Sequence, residues 1–294
     1  MKFRLFFLCG LLTLIASANA VELRDDLGHV TQWASPPQRI VSMVPSLTES
    51  VCELGACAKL VGVDRYSNYP ASVDRLPKLG GMDDTNVEMI SALKPDVVLV
   101  APSSRVAERL QSLGFKVIVL NTKSYADVQR VLGKLGALLA VPDAERVWRH
   151  IEASVGAAAQ SLPPSVKGTR VYFEVATGPY AAGPSSFMGE LLTRLGAGNV
   201  IPTSLGPFPK INPEFVVQAN PDVIMMGERE GLDLNQRPGW RSIKALREQR
   251  VCLFNSADGD ILVRPGPRLA EAVQILARCL RKTADGKHSG EKKN

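Results

Sequence analysis

Histidine is nearly absent from this chain, with three in 294 residues, at positions 29, 150 and 288. A free zinc or manganese cargo held by clustered imidazoles is therefore excluded. Catalytic signatures are missing too. There is no G-x-S-x-G, no H-E-x-x-H and no Walker loop, which leaves Asp258-Gly259-Asp260 and Ser185-Ser186 as the only catalytic-looking clusters. The expectation is a protein that is not an enzyme and carries no cofactor. Beyond the first twenty residues, no apolar run approaches the roughly 20 residues needed to span a bilayer. Basic-aromatic interleaving is also lacking. The net charge of +6 is scattered and partly gathered in the tail at Lys287, His288, Lys292 and Lys293, so nucleic acid is excluded as a partner.

The hydrophobic content is 45%, enough to fill two cores in a chain of this length. Residues 1–20 read as a secretory signal peptide. Lys2 and Arg4 start it, an apolar run from Leu5 to Ala16 follows, and Ala18-Asn19-Ala20 is an A-x-A cleavage site. A membrane anchor would need a longer run, and Leu8 is too large to precede a lipidated Cys9. The mature chain is expected in the periplasm as a monomer. Its four cysteines, Cys52, Cys57, Cys252 and Cys279, allow three pairings in an oxidising compartment. Cys52–Cys57 would be local, and Cys252–Cys279 would tie a late strand to the last helix. Four buried thiols are the alternative.

Two stretches repeat each other 126 positions apart: N-V-E-M-I-S-A-L-K-P-D-V-V-L-V from Asn86 and N-P-E-F-V-V-Q-A-N-P-D-V-I-M-M from Asn212. Glu88 matches Glu214 and Asp96 matches Asp222. Strand-like runs (39–44, 60–63, 97–100, 117–120) alternate with helical ones (47–54, 86–93, 103–113, 124–139). The same plan returns at 170–175, 187–195, 213–219, 223–226, 251–254 and 268–280. Alternation of this kind implies mostly parallel sheets covered by helices. Ser46 with Glu49 three residues on reads as a capping box. Glu49 and Glu190 each precede a Gly-Ala turn by the same number of steps. The expected organisation is an α/β fold of two similar lobes, 21–140 and 165–282, joined by one long rigid helix within 141–164 with a cleft between the lobes. A disordered tail is expected over 283–294.

The segments R-I-V-S-M-V-P-S-L-T-E, L-V-G-V-D-R-Y-S-N-Y-P and N-V-E-M-I-S-A-L-K-P-D-V-V occur in this order. The chain resembles the periplasmic cobalamin- and iron-chelate-binding family, the substrate-binding subunits of ABC importers, over about residues 38–282. The pattern is nearest to the cobalamin-binding members. The resemblance implies a shallow interlobe cleft and small domain movement. It implies ligand contacts at Tyr66, Tyr180 and Phe208, with Asp258 in a loop after the late strand. Met82 stands where the cobalamin binders carry a tryptophan, and Leu195 where they carry the cysteine partner of the residue matching Cys279. The resemblance further implies that Glu88 and Glu214 dock against arginines of the membrane permease subunits, with ATP hydrolysed by separate chains. The expected ligand is a large metal chelate, cobalamin first and a ferric siderophore or haem second. Flat, mainly apolar ligands of that kind suit aromatic side chains, which bury much area at low entropic cost. Arg65, Arg229 and Arg264 fall in loops that either face the cleft or lie solvated on the surface.

Overall fold

The computed structural model describes residues 21–285. The signal-peptide reading lies outside them, as does most of the expected tail. Residues 283–285, placed in that tail by the sequence, instead continue the last helix.

The first lobe opens with a hairpin of β1 (Val21–Arg24) and β2 (Val30–Trp33). Strands β3 (Ile40–Ser42), β4 (Leu60–Val63), β5 (Val97–Val100) and β6 (Val117–Val119) then form a parallel sheet in the order β4-β3-β5-β6. Helices α1 (Pro45–Val51), α2 (Val87–Ala92), α3 (Val106–Ser112) and α4 (Tyr125–Leu139) follow the strands. Every residue of β5 is buried, as expected for a strand covered on both faces. The hairpin shields the free edge of β6, since the Asp26 amide donates to Val119 O at 2.9 Å.

Helix α5 (Glu145–Gln160) leads to the second lobe. It occupies 16 residues of the span 141–164, about 24 Å of rise. The second sheet has the order β11-β10-β7-β8, with β9 also on β7. Its strands are β7 (Arg170–Ala176), β8 (Tyr180–Ala181), β9 (Gly198–Asn199), β10 (Val223–Gly227) and β11 (Val251–Phe254), all parallel except β8. Its helices are α6 (Phe187–Arg194), α7 (Pro213–Ala219), α8 (Glu228–Gly231), α9 (Lys244–Arg247), α10 (Ser256–Val263) and α11 (Leu269–Asp285). Both disulfides, Cys52–Cys57 and Cys252–Cys279, are closed. The second ties β11 to α11.

The internal repeat has a mechanical meaning. Asn86 and Asn212 cap α2 and α7, accepting from Met89 N and Glu214 N. Lys94 and Asn220, again 126 apart, both take φ of 44° and end those helices in the left-handed conformation. Asp96 and Asp222 follow, and each accepts from the amide at the start of the first parallel strand of its lobe, β3 or β7: Asp96 from Arg39 at 2.8 Å, Asp222 from Arg170 at 3.0 Å. The two arginines return the contact by donating to the last helical carbonyls, Arg39 to Leu93 O at 2.6 Å and Arg170 to Ala219 O at 2.7 Å. Each lobe thus locks a helix end to the start of its neighbouring strand with the same four-part device.

One sequence expectation fails here. Pro45 occupies the first helical position of α1, Val44 is the N-cap, and no side chain caps it. Ser46 and Glu49 form no capping box; both are buried. Proline at that position needs no N–H partner, and it leaves Ser46 as the second helical residue, two places past the N-cap and unable to cap.

The apolar core is continuous between the lobes. Leu47 and Val51 of α1, Ile151 and Val155 of α5, Leu191 of α6, and Val273 and Leu276 of α11 belong to one buried cluster. Smaller clusters fill the outer side of each sheet. Replacing Asp96 or Asp222 by Ala removes the carboxylate that locks a helix to a strand. Either change should lower stability by about 1 kcal/mol, measured by urea unfolding, whereas Asp83→Ala on the exposed loop should leave the midpoint unchanged.

Candidate functional site at the interlobe cleft

In parallel α/β sheets, ligands bind beyond the carboxyl ends of the strands. In this chain the lobes meet at those ends. Asn68, after β4, donates to Asp260, after β11, at 2.9 Å. On the other side, the amide of Phe187, which opens α6, donates to Lys123 O, after β6, at 2.8 Å. Two seams therefore flank a cleft whose walls are strand-end loops. A depression of about 260 Å³ on its second-lobe side is lined by residues including Phe173, Glu174, Arg229, Asn255, Asp260 and Val263. A larger hollow of about 820 Å³, lined by Trp33, Arg39, Lys94 and Lys116 among others, lies at the opposite, amino end of the first sheet.

Tyr66 follows β4 and is 62% exposed. Its amide is fixed by the Asp64 carboxylate at 2.8 Å, and the Arg65 guanidinium lies 6.0 Å from its ring centre. Met82, half exposed, receives a hydrogen bond from Ser103 Oγ, after β5, at 3.3 Å. Across the cleft, Tyr180 is 42% exposed at the start of β8. Phe208 runs in the adjacent segment, where Ala181 N donates to Pro209 O and Gly183 N to Pro207 O. Its ring is partly buried against Phe187, with centroids 6.1 Å apart. Gly183 packs so tightly against the Gly206 carbonyl that a Cβ there would collide. Tyr69, not singled out from the sequence, is a further exposed aromatic beside Tyr66, with the Arg268 guanidinium 4.1 Å from its ring centre. The tyrosines thus stand on opposite lobes at strand ends, while Phe208 mainly packs.

Asp258 differs from its sequence reading. It lies in the first turn of α10, not in a loop, where its amide is capped by Asn255 at 2.9 Å. It lines a separate hollow with His150, Ile275 and Arg278, and Asp260 takes its place at the cleft. Arg264, expected in a cleft loop or on the solvated surface, is buried instead. It donates to Glu49 Oε1 at 2.9 Å, to Asn68 Oδ1 at 2.7 Å and to Tyr66 O at 3.1 Å. Burial pushes the Glu49 carboxyl above its ordinary value despite Arg264 and Arg268. No local pattern could have revealed this pair, since the partners lie 215 residues apart.

The floor of the second-lobe side is a buried polar cluster. Glu174 accepts two bonds from Arg237, at 2.7 and 2.9 Å, and one from the Tyr172 hydroxyl at 3.0 Å. The guanidinium also lies over Trp240, 4.5 Å from the ring centre, and donates to Glu230 O at 2.8 Å. This bidentate pair pins the segment carrying Glu228, Arg229 and Glu230 to β7, which carries Glu174.

Glu88 and Glu214 occupy the first turns of α2 and α7. Each helix enters from the carboxyl side of its sheet, so both face the cleft-bearing side of the molecule. Glu88 is 80% exposed and lies 3.5 Å from Arg109, and Glu214 is exposed as well. Among the described residues there is no cluster of three or more His, Cys, Asp or Glu suited to a metal ion, and no helix is long and apolar enough to cross a membrane.

The periplasmic binding protein family matches residues 40–257. The chain belongs to this family. It is 31% identical to an uncharacterized ABC transporter substrate-binding lipoprotein of Bacillus subtilis (strain 168), over 83% of this chain and 80% of that one. It is 28% identical to a vitamin B12-binding protein of Vibrio vulnificus (strain YJ016), over 84% and 92%. Among solved structures, a periplasmic heme binding protein from Pseudomonas aeruginosa is similar, with a TM-score of 0.70 and 27% identity over 84% and 93%. The two-lobed α/β architecture is that of the family, and its members are substrate-binding proteins of ABC importers.

The amino end of α4 forms one wall of the second seam, and it depends on Asp127. Ser124 and Asp127 form a capping box. Burial pushes the Asp127 carboxyl up, but the Arg130 guanidinium and the amides of Ser124 and Lys123 outweigh it and hold the group at about 2, below its usual 3.8. A depressed carboxylate stabilises the fold above its unfolded pKa, and that contribution is lost as pH falls through the folded value. Asp127→Asn should therefore be less stable than the parent above pH of about 4, with the gap closing as pH falls from about 4 towards 2. Urea midpoints across that range test this.

Proposed function

We propose that the chain is exported through its N-terminal leader and captures a large, flat metal chelate in the interlobe cleft, cobalamin first. It then delivers the ligand to the permease of an ABC importer whose ATPase subunits are separate chains. The observation that carries this reading is the pair of exposed tyrosines on opposite lobes, Tyr66 after β4 and Tyr180 opposite the carboxyl end of β7. Two such rings suit the apolar faces of a corrin, and their hydroxyls suit its polar rim. The vitamin B12-binding relative supports the same choice. Haem or a ferric siderophore is the second reading. It is favoured by the heme-binding structural relative and by three exposed phenols, Tyr66, Tyr69 and Tyr180, any of which is chemically able to ligate iron.

Glu88 and Glu214 are proposed as the docking pair. A carboxylate in a first turn is favoured by the helix dipole by about 0.3–1 kcal/mol. That effect alone does not account for exposed glutamates at one repeat position in both lobes. Charges so placed fix orientation and speed encounter more than they add affinity.

Calorimetric titration of the mature protein with cyanocobalamin, haemin and ferric siderophores decides among ligands. One-to-one cobalamin binding at micromolar affinity or tighter is expected, weakened about tenfold in Tyr66→Ala. Silence with cobalamin and a response to haemin or a ferric siderophore would shift the ligand to the second reading. Glu88→Ala combined with Glu214→Ala should keep ligand affinity and reduce uptake at limiting ligand. Normal uptake by that double variant would remove the docking assignment.

A further inference from the structure

The loop that presents Tyr66 and Tyr69 belongs to the first lobe, yet much of what fixes it comes from the end of the chain. Arg264, between α10 and α11, reaches the loop backbone at Tyr66 O and the loop side chain of Asn68. Arg268 covers the Tyr69 ring. Both guanidinium groups converge on one buried carboxylate, Glu49, at 2.9 and 3.6 Å. Asp260, also from the second half, holds Arg264 at 2.8 Å and accepts from Asn68. The first lobe supplies Asp64, which accepts from Tyr66 N and Ser67 Oγ, and Lys78, which donates to Ser67 O at 2.5 Å.

The opposite seam carries the related arrangement. Glu190 of α6 stands at the position of Glu49 in the repeat, six residues before its glycine. It accepts from Tyr125 N, the first helical residue of α4 in the other lobe. From the same helix, Arg194 lies over the Tyr125 ring at 4.2 Å and pairs with Glu152 at 3.7 Å. One carboxylate from each lobe therefore reaches a group supplied by the other half of the chain.

We propose that Arg264 is a positioning residue for the ligand loop. Anchored on Glu49, it holds residues 65–69 in their binding conformation across the first seam, so that loop order depends on the lobes staying together. Arg268 adds to this through Tyr69. Lobe separation on an importer would withdraw both arginines from the loop, which makes ligand discharge a consequence of seam opening. The consequence for affinity rests on the assignment of Tyr66 to the ligand; the effect on the loop does not.

The test compares the mature protein with Arg264→Met, with Arg264→Met combined with Glu49→Leu, and with Arg264→Lys. The double variant removes both buried charges, so it stays informative if the single one folds poorly. Hydrogen exchange should speed up at least tenfold at the amides of residues 65–69 in both methionine variants, with β3 and β5 amides unchanged. Lysine should restore part of the protection. In stopped-flow binding of the ligand found by titration, the double variant should dissociate about tenfold faster with little change in association. Parent-like exchange at residues 65–69 in the double variant would overturn the proposal. So would a loosened loop with an unchanged dissociation rate where Tyr66→Ala does weaken binding. If Tyr66→Ala leaves binding intact, the ligand assignment fails on its own, and the exchange measurement still decides the role of Arg264.

Discussion

The structure depends on a core that the two lobes cannot build separately. Each sheet has one side filled within its own lobe, by Tyr172, Ile224 and Trp240 in the second and by Val98, Ile90 and Leu110 in the first. The opposite sides are completed by α5 and α11, whose apolar stripes join both lobes in one buried cluster. Burial stabilises by roughly 25 cal/mol per Å² of apolar surface removed from water, so prying the lobes apart would expose surface that neither lobe can cover alone. The relation of the lobes is thus set by packing, and a preformed cleft follows from it.

Polar groups refine what packing sets. Charges taken out of water are costly unless paired, and the buried carboxylates at the cleft, Glu49 and Glu174, each face an arginine. Their partners come from distant sequence, Arg264 and Arg237, and each pair pins a loop at the rim. The rings of Tyr66 and Tyr180 take no part in these pairs, which suits side chains proposed to meet a ligand. Rigid support beneath and aromatic surface above is the arrangement expected of a site that pays little ordering cost on binding.

Much of this was legible in the sequence, and the reason is local chemistry. The repeat around Asn86 and Asn212 carries its own caps, stops and strand starts, so helix α7 and strand β5 fall where the residue pattern places them. The two-lobed parallel plan followed from alternation. The misreadings share a different cause. Ser46 with Glu49 matched a local motif, but Pro45 took the helix start and a partner 215 residues away took the carboxylate. The sequence suggests a loop at Asp258, although Asn255 is a sufficient cap signal to start α10 there. Tyr69 carries no signal of its own beside Tyr66, since nothing local tells that both tyrosines of Y-S-N-Y stay exposed. Contacts across the seams have no sequence period, and only the fold brings them together.

The central claim is a preformed cleft that takes its ligand between the lobes. A crystal structure of the mature protein with its ligand bound tests that claim most directly. The account predicts electron density for the ligand between Tyr66 and Tyr180, with Arg264 still on Glu49 and the lobes in the relation described above. A ligand bound elsewhere, such as the hollow beside Trp33, or lobes rotated so that the Glu49 and Glu190 contacts are broken in the bound state, would contradict it.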